Sequence, residues 1–186
     1  MFKLFKRERL VEVEPFAFEM REQIFRGMPE DGDLIFDSEF FAPNALTNEG
    51  QAHMLNVWAR EQANLAKHLM LLNMPAGAAP TKTTVYAGLT ESVTAGTNGY
   101  SRQQIAAGDW GAPALDSGDQ QISAAQKTFG QFTGNVPVSH VGLMSAATGT
   151  GTFFLWVSTA HHTANNTART FVSGESYLVT LRDKQI

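Results

Sequence analysis

"SHVGLMSAATGTGTFFLWV", Ser139 to Val157, holds two apolar runs of strand length on either side of a Gly/Thr turn. Two such runs joined by a glycine-containing turn predict an antiparallel hairpin. The stretch contains no Asp, Glu, Lys or Arg, and it lies inside forty-one residues without a formal charge, Thr128 to Ala168. At the chain-wide charged fraction of 17%, about seven charges would fall there. Neutral short side chains leave water at little cost because no ion must be desolvated. Interface cores between proteins are depleted in charge for the same reason. Val141, Leu143 and Trp156 are therefore expected to face the domain's own core. The outward face, with Ser145 and Ser158 as its candidate contacts, is expected to meet a neighbouring subunit.

The hairpin sits in a β-rich half of the chain. From Lys82 onward, "TTVYAGLT", "NGYSRQQIAA", "QISAAQKTFGQF" and "RTFVSGESYLVTLRD" read as strands separated by Gly, Asn, Ser and Thr turns. The last of these is either a pair or one strand broken at Gly174. No helical pattern falls between them, which argues against a parallel βαβ sheet. The fold class expected is mainly β: an antiparallel β-sandwich or jelly-roll-like domain with one long amphipathic helix and an extended N-terminal arm.

The helix is predicted from Asn48 to Leu72. Met54, Trp58, Leu65, Leu69 and Leu72 recur at spacings of four, seven, four and three, and Leu55 and Ala66 widen the stripe. Thr47 or Asn48 can cap its start, with Glu49 beside the positive end of the dipole. "NMPAGAAPT" ends it. The stripe is expected to pack on the domain's own sheet rather than in a coiled coil.

Residues 1–45 hold eight of the thirteen phenylalanines and no sustained helical period. "VEVEPFAF" alternates as a short strand interrupted at Pro15, "MPEDGDL" is a turn, and "DLIFDSEFF" is extended. The expected division is a Phe-rich arm over 1–45 and a helix-plus-sandwich domain over 46–186. Phe2, Phe5, Phe16, Phe18, Phe36, Phe40 and Phe41 are candidate interface residues. They must bury their rings either in this domain or on a neighbouring subunit, and the sequence leaves both open. The first ten residues carry Lys3, Lys6, Arg7 and Arg9 against Glu8, a net of +3. The whole chain is −4, so the remainder is −7. The segment reads as a basic tail or a short amphipathic tether, not as a secretory signal. No apolar run reaches the ~18 residues of a membrane span. The mild acidity argues against nucleic acid as the main partner.

Catalytic motifs are missing from the sequence. It has no G-x-S-x-G, no P-loop pattern and no dinucleotide fingerprint. There is no cysteine, and the histidines are His53, His68, His140, His161 and His162. The adjacent His161 and His162 would point to opposite faces of a strand. Ser139-His140 lacks a third triad member. "EDGD" and "DSGD" read as turns. Trp110 and Tyr100, if on exposed loops, would form a weak carbohydrate platform. Tyr100 and Arg102 fall on one face of a strand and suit a cross-strand latch. No metal, cofactor or catalytic residue is assigned, and the chain is expected not to be an enzyme.

Several phrases in order resemble a family of tailed-bacteriophage virion proteins. They are Asn48-Glu49-Gly50, Tyr86-Ala87-Gly88-Leu89, Gly99-Tyr100-Ser101-Arg102-Gln103, Ser139-His140-Val141-Gly142-Leu143 and Leu155-Trp156, within residues 44–182. The resemblance implies an antiparallel sandwich with one helix packed on it, a place in the virion, and no catalysis. The expected role is a capsid decoration (cement) protein at the capsid surface. It would be a homotrimer bound to the major capsid protein or other virion subunits, with no nucleic-acid or membrane partner. The alternative is a tail, neck or head fibre component that recognises host glycans.

Overall fold

A computed structural model of the chain describes residues 16–40, 44–60, 63–75, 78–116, 119–159 and 168–185. The strands are β1 (Phe16–Arg26), β2 (Asp33–Asp37), β3 (Asn44–Leu46), β4 (Lys67–Leu72), β5 (Gln103–Ile105), β6 (Ala114–Asp116), β7 (Asp119–Ser123), β8 (Lys127–Phe129), β9 (Val136–Val138), β10 (His140–Met144), β11 (Phe153–Ser158), β12 (Arg169–Phe171) and β13 (Glu175–Gln185). One helix, α1 (Asn48–Arg60), precedes β4. All the ladders are antiparallel. One sheet runs β2-β1-β13-β7-β6, with β8 on the same side of β13 as β7. The other runs β3-β11-β10-β4-β5, and β9 pairs with β12 in a small third sheet.

Both large sheets feed one core. Met20 and Ile24 of β1 and Tyr177, Val179 and Leu181 of β13 pack in the same cluster as Leu69, Leu71, Val141, Leu143 and Val157. This is the expected antiparallel β-sandwich. The hairpin of β10 and β11 forms as predicted, with His140 opposite Ser158 and Leu143 opposite Leu155.

Three expectations change. The predicted helix over 48–72 ends at Arg60, and its second half is strand β4, between β10 and β5. Every residue of "HLMLL" is buried, so the run has no in/out alternation. A strand buried on both faces cannot be told from a buried helix by periodicity. Leu55 and Leu65, counted in the helical stripe, are exposed. "TTVYAGLT", expected as a strand, contains instead a single 3-10 turn at Tyr86–Gly88. "QISAAQKTFGQF" splits into β7 and β8, interrupted at 124–126, and both segments lie along β13.

A fourth change concerns the Phe-rich segment. β1 pairs with β13 through eleven register positions, from Phe16↔Gln185 to Arg26↔Glu175. Where it is described, this segment is part of the sandwich, not an arm beside it. "MPEDGDL" is the turn into β2, as expected.

The outward face of the β10–β11 hairpin also has an unexpected occupant. Met70, Leu72, Met144 and Phe153 form a second buried cluster on that side, with Met74, Tyr86, Leu89 and Trp156 packed on it. Met74, Tyr86 and Leu89 belong to the strap of residues 73–91, which leaves β4 and returns to it at the Leu72↔Glu91 bridge. Trp156 is opposite Gly142 and so faces the strap, not the inter-sheet core. Gly142 is required there. A Cβ would come to 2.9 Å from Phe153 Cε2 and 3.1 Å from Met70 Cγ. The neutral face expected to meet a neighbouring subunit is therefore largely covered by the chain's own strap.

Candidate interaction surface and its internal latch

Tyr100 and Arg102 form the latch their spacing suggests, and their partner is Glu91 at the end of the strap. The Arg102 guanidinium donates to both Glu91 carboxylate oxygens, Nε at 2.9 Å and Nη2 at 2.8 Å. Its Nη1 donates to the carbonyls of Ala146 and Gly149 at 2.9 and 3.0 Å, in the loop between β10 and β11. The Tyr100 hydroxyl donates to Glu91 Oε1 at 2.7 Å and accepts from the Leu71 amide at 3.1 Å. The guanidinium also lies 5.6 Å from the centre of the Tyr86 ring. Arg102 thus joins the strap to the hairpin loop, and Tyr100 ties the same carboxylate to β4. Planar, bidentate geometry of this kind is specific to arginine.

The electrostatics follow from burial. Burial alone would lower the Arg102 pKa, but the hydrogen bonds and charge of Glu91 outweigh it and the net shift is upward. The Tyr100 hydroxyl is pushed far up, first by burial and then by Glu91. His68 is held below its usual value by burial and by the Arg102 charge.

A second join starts the helix. Thr47 caps it: its hydroxyl oxygen accepts from the Gly50 amide at 3.0 Å, and the hydroxyl donates to the carbonyls of Phe153 and Phe154. Glu49 accepts from the Phe153 amide at 3.0 Å. A Cβ on Gly50 would overlap the Phe154 carbonyl oxygen. The phrase Asn48-Glu49-Gly50 is therefore a docking device for β11. The capping role falls to Thr47, one of the two residues expected for it.

The candidate contact residues divide. Phe2, Phe5 and Phe41 lie outside the described residues, as do His161 and His162. Phe16 opens β1. Phe18 and Phe36 are partly buried against the core. Phe40 lies under the Arg182 guanidinium, 4.0 Å from the ring centre. Phe18, Phe36 and Phe40 thus make contacts within this chain. Tyr100 is fully buried, and Trp110 packs against the core, so the carbohydrate platform is not formed. Trp110, Phe18, Met54, Lys67 and Phe154 line a cavity of about 60 Å³ between α1 and the sheets. Among the described residues no three His, Asp or Glu side chains converge as a metal site.

Ser145 has a job inside the fold. Its hydroxyl oxygen accepts from the Thr152 amide at 2.8 Å, and its own amide donates to the Thr152 carbonyl at 3.0 Å. Ser145→Glu should cost about 1–2 kcal/mol of folding stability in urea titration, because that amide loses its acceptor. Ser158→Glu, at a half-exposed side chain, should change it by less than about 0.5 kcal/mol.

Asp183 is a further buried group that sequence reading missed. It shares a strand face with Val179 and Leu181, opposite Phe18 and Ile122, and its Oδ1 finds no partner among the described residues. Burial pushes its pKa up to about 6. The folded state therefore favours the protonated acid. Its stabilising effect is full below the ordinary aspartate range and is lost as pH rises toward about 6. Asp183→Asn should remove that slope and add about 1 kcal/mol at neutral pH, after allowance for partial solvent screening. Urea midpoints across the pH range would check it.

Some of the exposed apolar side chains lie on the sheet edges. β2 and β6 are the two outer strands of the larger sheet. β2 exposes Leu34 (51%) and Ile35 (41%), and β6 exposes Leu115 (71%). Searches against protein-family models and against curated proteins found no match. The candidate surface therefore rests on its own geometry. Edge strands in free monomers are normally short, charged or covered, because unpaired backbone and apolar side chains invite other chains. β6 is short and follows Pro113; β2 has neither proline nor lysine, but it is five residues long, carries Asp33 and Asp37, and its pairing with β1 shifts register at Ile35.

Proposed function

We propose that the chain is a virion structural protein of a tailed bacteriophage, a capsid decoration protein. In this reading it binds and stabilises the head shell through the residues preceding β1 and through self-association as a homotrimer. It would sit at the capsid surface against the major capsid protein. The observation that carries this reading is the placement of large apolar side chains on both outer strands of one sheet, Leu34 and Ile35 on β2 and Leu115 on β6. Such edges suit a subunit that is finished by its neighbours.

The resemblance of the five phrases to phage virion proteins supports it further. Gly50, Tyr100, Arg102 and Gly142 are each spent on holding helix, strap and sheets in one rigid unit. A rigid block with adhesive margins suits a component that reinforces a shell.

Deletion of residues 1–15, which leaves β1 intact, tests the anchoring part. The truncated protein should keep its urea midpoint and lose binding to particles stripped of it. Full occupancy by the truncated protein would show that these residues are not the anchor.

A further inference from the structure

We infer that the cavity between α1 and the sheets binds the aliphatic body of a small monocarboxylate, with Lys67 as the counter-charge to its anionic head. Such a site is independent of a virion role and stands or falls without it.

Lys67 stands where the strand pattern calls for an apolar residue. It opens β4 on the same face as Leu69 and Leu71, because side chains alternate along a strand. Both leucines belong to the inter-sheet core. The register partner of Lys67 on β5, Ile105, is buried in that core as well. The Lys67 side chain accordingly lines the cavity.

Its ammonium has only neutral acceptors. Nζ donates to Asn64 Oδ1 at 2.6 Å and, more distantly, to the Leu65 carbonyl at 3.5 Å. The Asn64 oxygen also bonds His53 Nε2 at 3.1 Å, which steadies the acceptor beside the cavity. Among the described residues no carboxylate lies within ion-pair distance of Lys67. An ammonium carries three donors, so at least one is left over. Burial draws the Lys67 pKa down. A bound anion would offset that cost, because opposite charge favours the ionised form.

The cavity sets the rest of the ligand. Leu46, Leu143, Phe154 and Leu155 are its buried floor, and His53, Met54 and Trp110 are partly exposed at its rim. Among the described lining residues only Lys67 and His53 carry ionisable groups. A volume of about 60 Å³ holds roughly four to six water-sized groups. Voids that take benzene are larger, about 150 Å³. An isobutyl-sized group therefore fits and an aromatic ring does not. One unpaired ammonium calls for one negative charge, and the apolar floor has nothing to offer a polar body. Together these select a short branched carboxylate over a phosphate or a sugar.

Isovalerate has that shape and charge, and isopentanol has the same carbon skeleton without the charge. Each is titrated into the isotope-labelled full-length protein at constant ionic strength, and the tryptophan indole N–H signals are followed by NMR. Isovalerate should shift the Trp110 signal saturably with a Kd of about 1 mM, about fivefold tighter than isopentanol. The Trp156 signal, on the strap side of its sheet, should stay in place. Lys67→Met should abolish the preference for the acid and leave isopentanol binding intact. Met54→Trp, which fills the cavity from the helix side, should abolish binding of both. If Met54→Trp does not fold, Lys67→Met decides alone. The inference is overturned by the lack of a saturable shift at Trp110 or by equal affinity for acid and alcohol. A preference that survives Lys67→Met, or binding that survives a folded Met54→Trp, overturns it too.

Discussion

Arg102→Ala should cost about 3–5 kcal/mol of folding stability, the largest loss expected from a single charged residue in this chain. The side chain of Arg102 is completely buried and that of Glu91 is 17% exposed. Removing the guanidinium strands a mostly buried carboxylate and leaves the carbonyls of Ala146 and Gly149 without their donor. Breaking a buried pair from one side leaves an uncompensated charge, which costs far more than an exposed ion pair contributes. Arg102→Lys should recover only part of the loss, since an ammonium cannot make the bidentate contact. Glu91→Gln with Arg102→Met should be less damaging than Arg102→Ala alone, because the unpaired charge is gone. Urea unfolding midpoints would order the variants. If Arg102→Ala cost less than about 1 kcal/mol, the latch would be no more than a surface contact.

Gly50→Ala is expected to cost about 2–3 kcal/mol, although helix propensity alone predicts a gain of about 1 kcal/mol. The opposition of sign makes the test sharp. The first turn of α1 lies on the β11 backbone, and the added Cβ would collide with the Phe154 carbonyl. That carbonyl accepts from the Thr47 amide at 2.9 Å, so it cannot move away without loosening the cap. Ala52, exposed on the same helix, provides the control. Ala52→Gly should destabilise by about 1 kcal/mol, as propensity says. A stabilising Gly50→Ala would mean that the helix does not rest on β11 at this point.

What the sequence made legible was local. The hairpin of β10 and β11 showed itself in two apolar runs and a Gly/Thr turn. The helix start showed in Thr47 and Glu49, and the latch in the two-residue spacing of Tyr100 and Arg102. What stayed hidden depended on partners distant in the chain. β4 lacks alternation because it is covered on both faces, by the inter-sheet core and by the strap. Glu91 gave no sign of its role, since nothing in "AGLTESVT" says that the strap returns to β4. The absence of charge over Thr128 to Ala168 was read as a sign of burial, and within β10 and β11 part of that burial comes from the chain's own strap. The second layer over Met144 and Phe153 is Met74, Tyr86 and Leu89 of the same chain. In β10 and β11 the lack of charge accompanies burial and is silent about what covers the strands. Exposed apolar side chains stand instead at Leu34 and Ile35 of β2, within the Phe-rich segment.

The central claim is a role on the virion head. Mass-spectrometric stoichiometry on purified particles, joined with a cryo-electron microscopy map, tests it most directly. The account predicts a copy number in fixed proportion to the major capsid protein, with the sandwich seated on the outer surface of the head. A few copies confined to the tail or neck, or no copies at all, would contradict it.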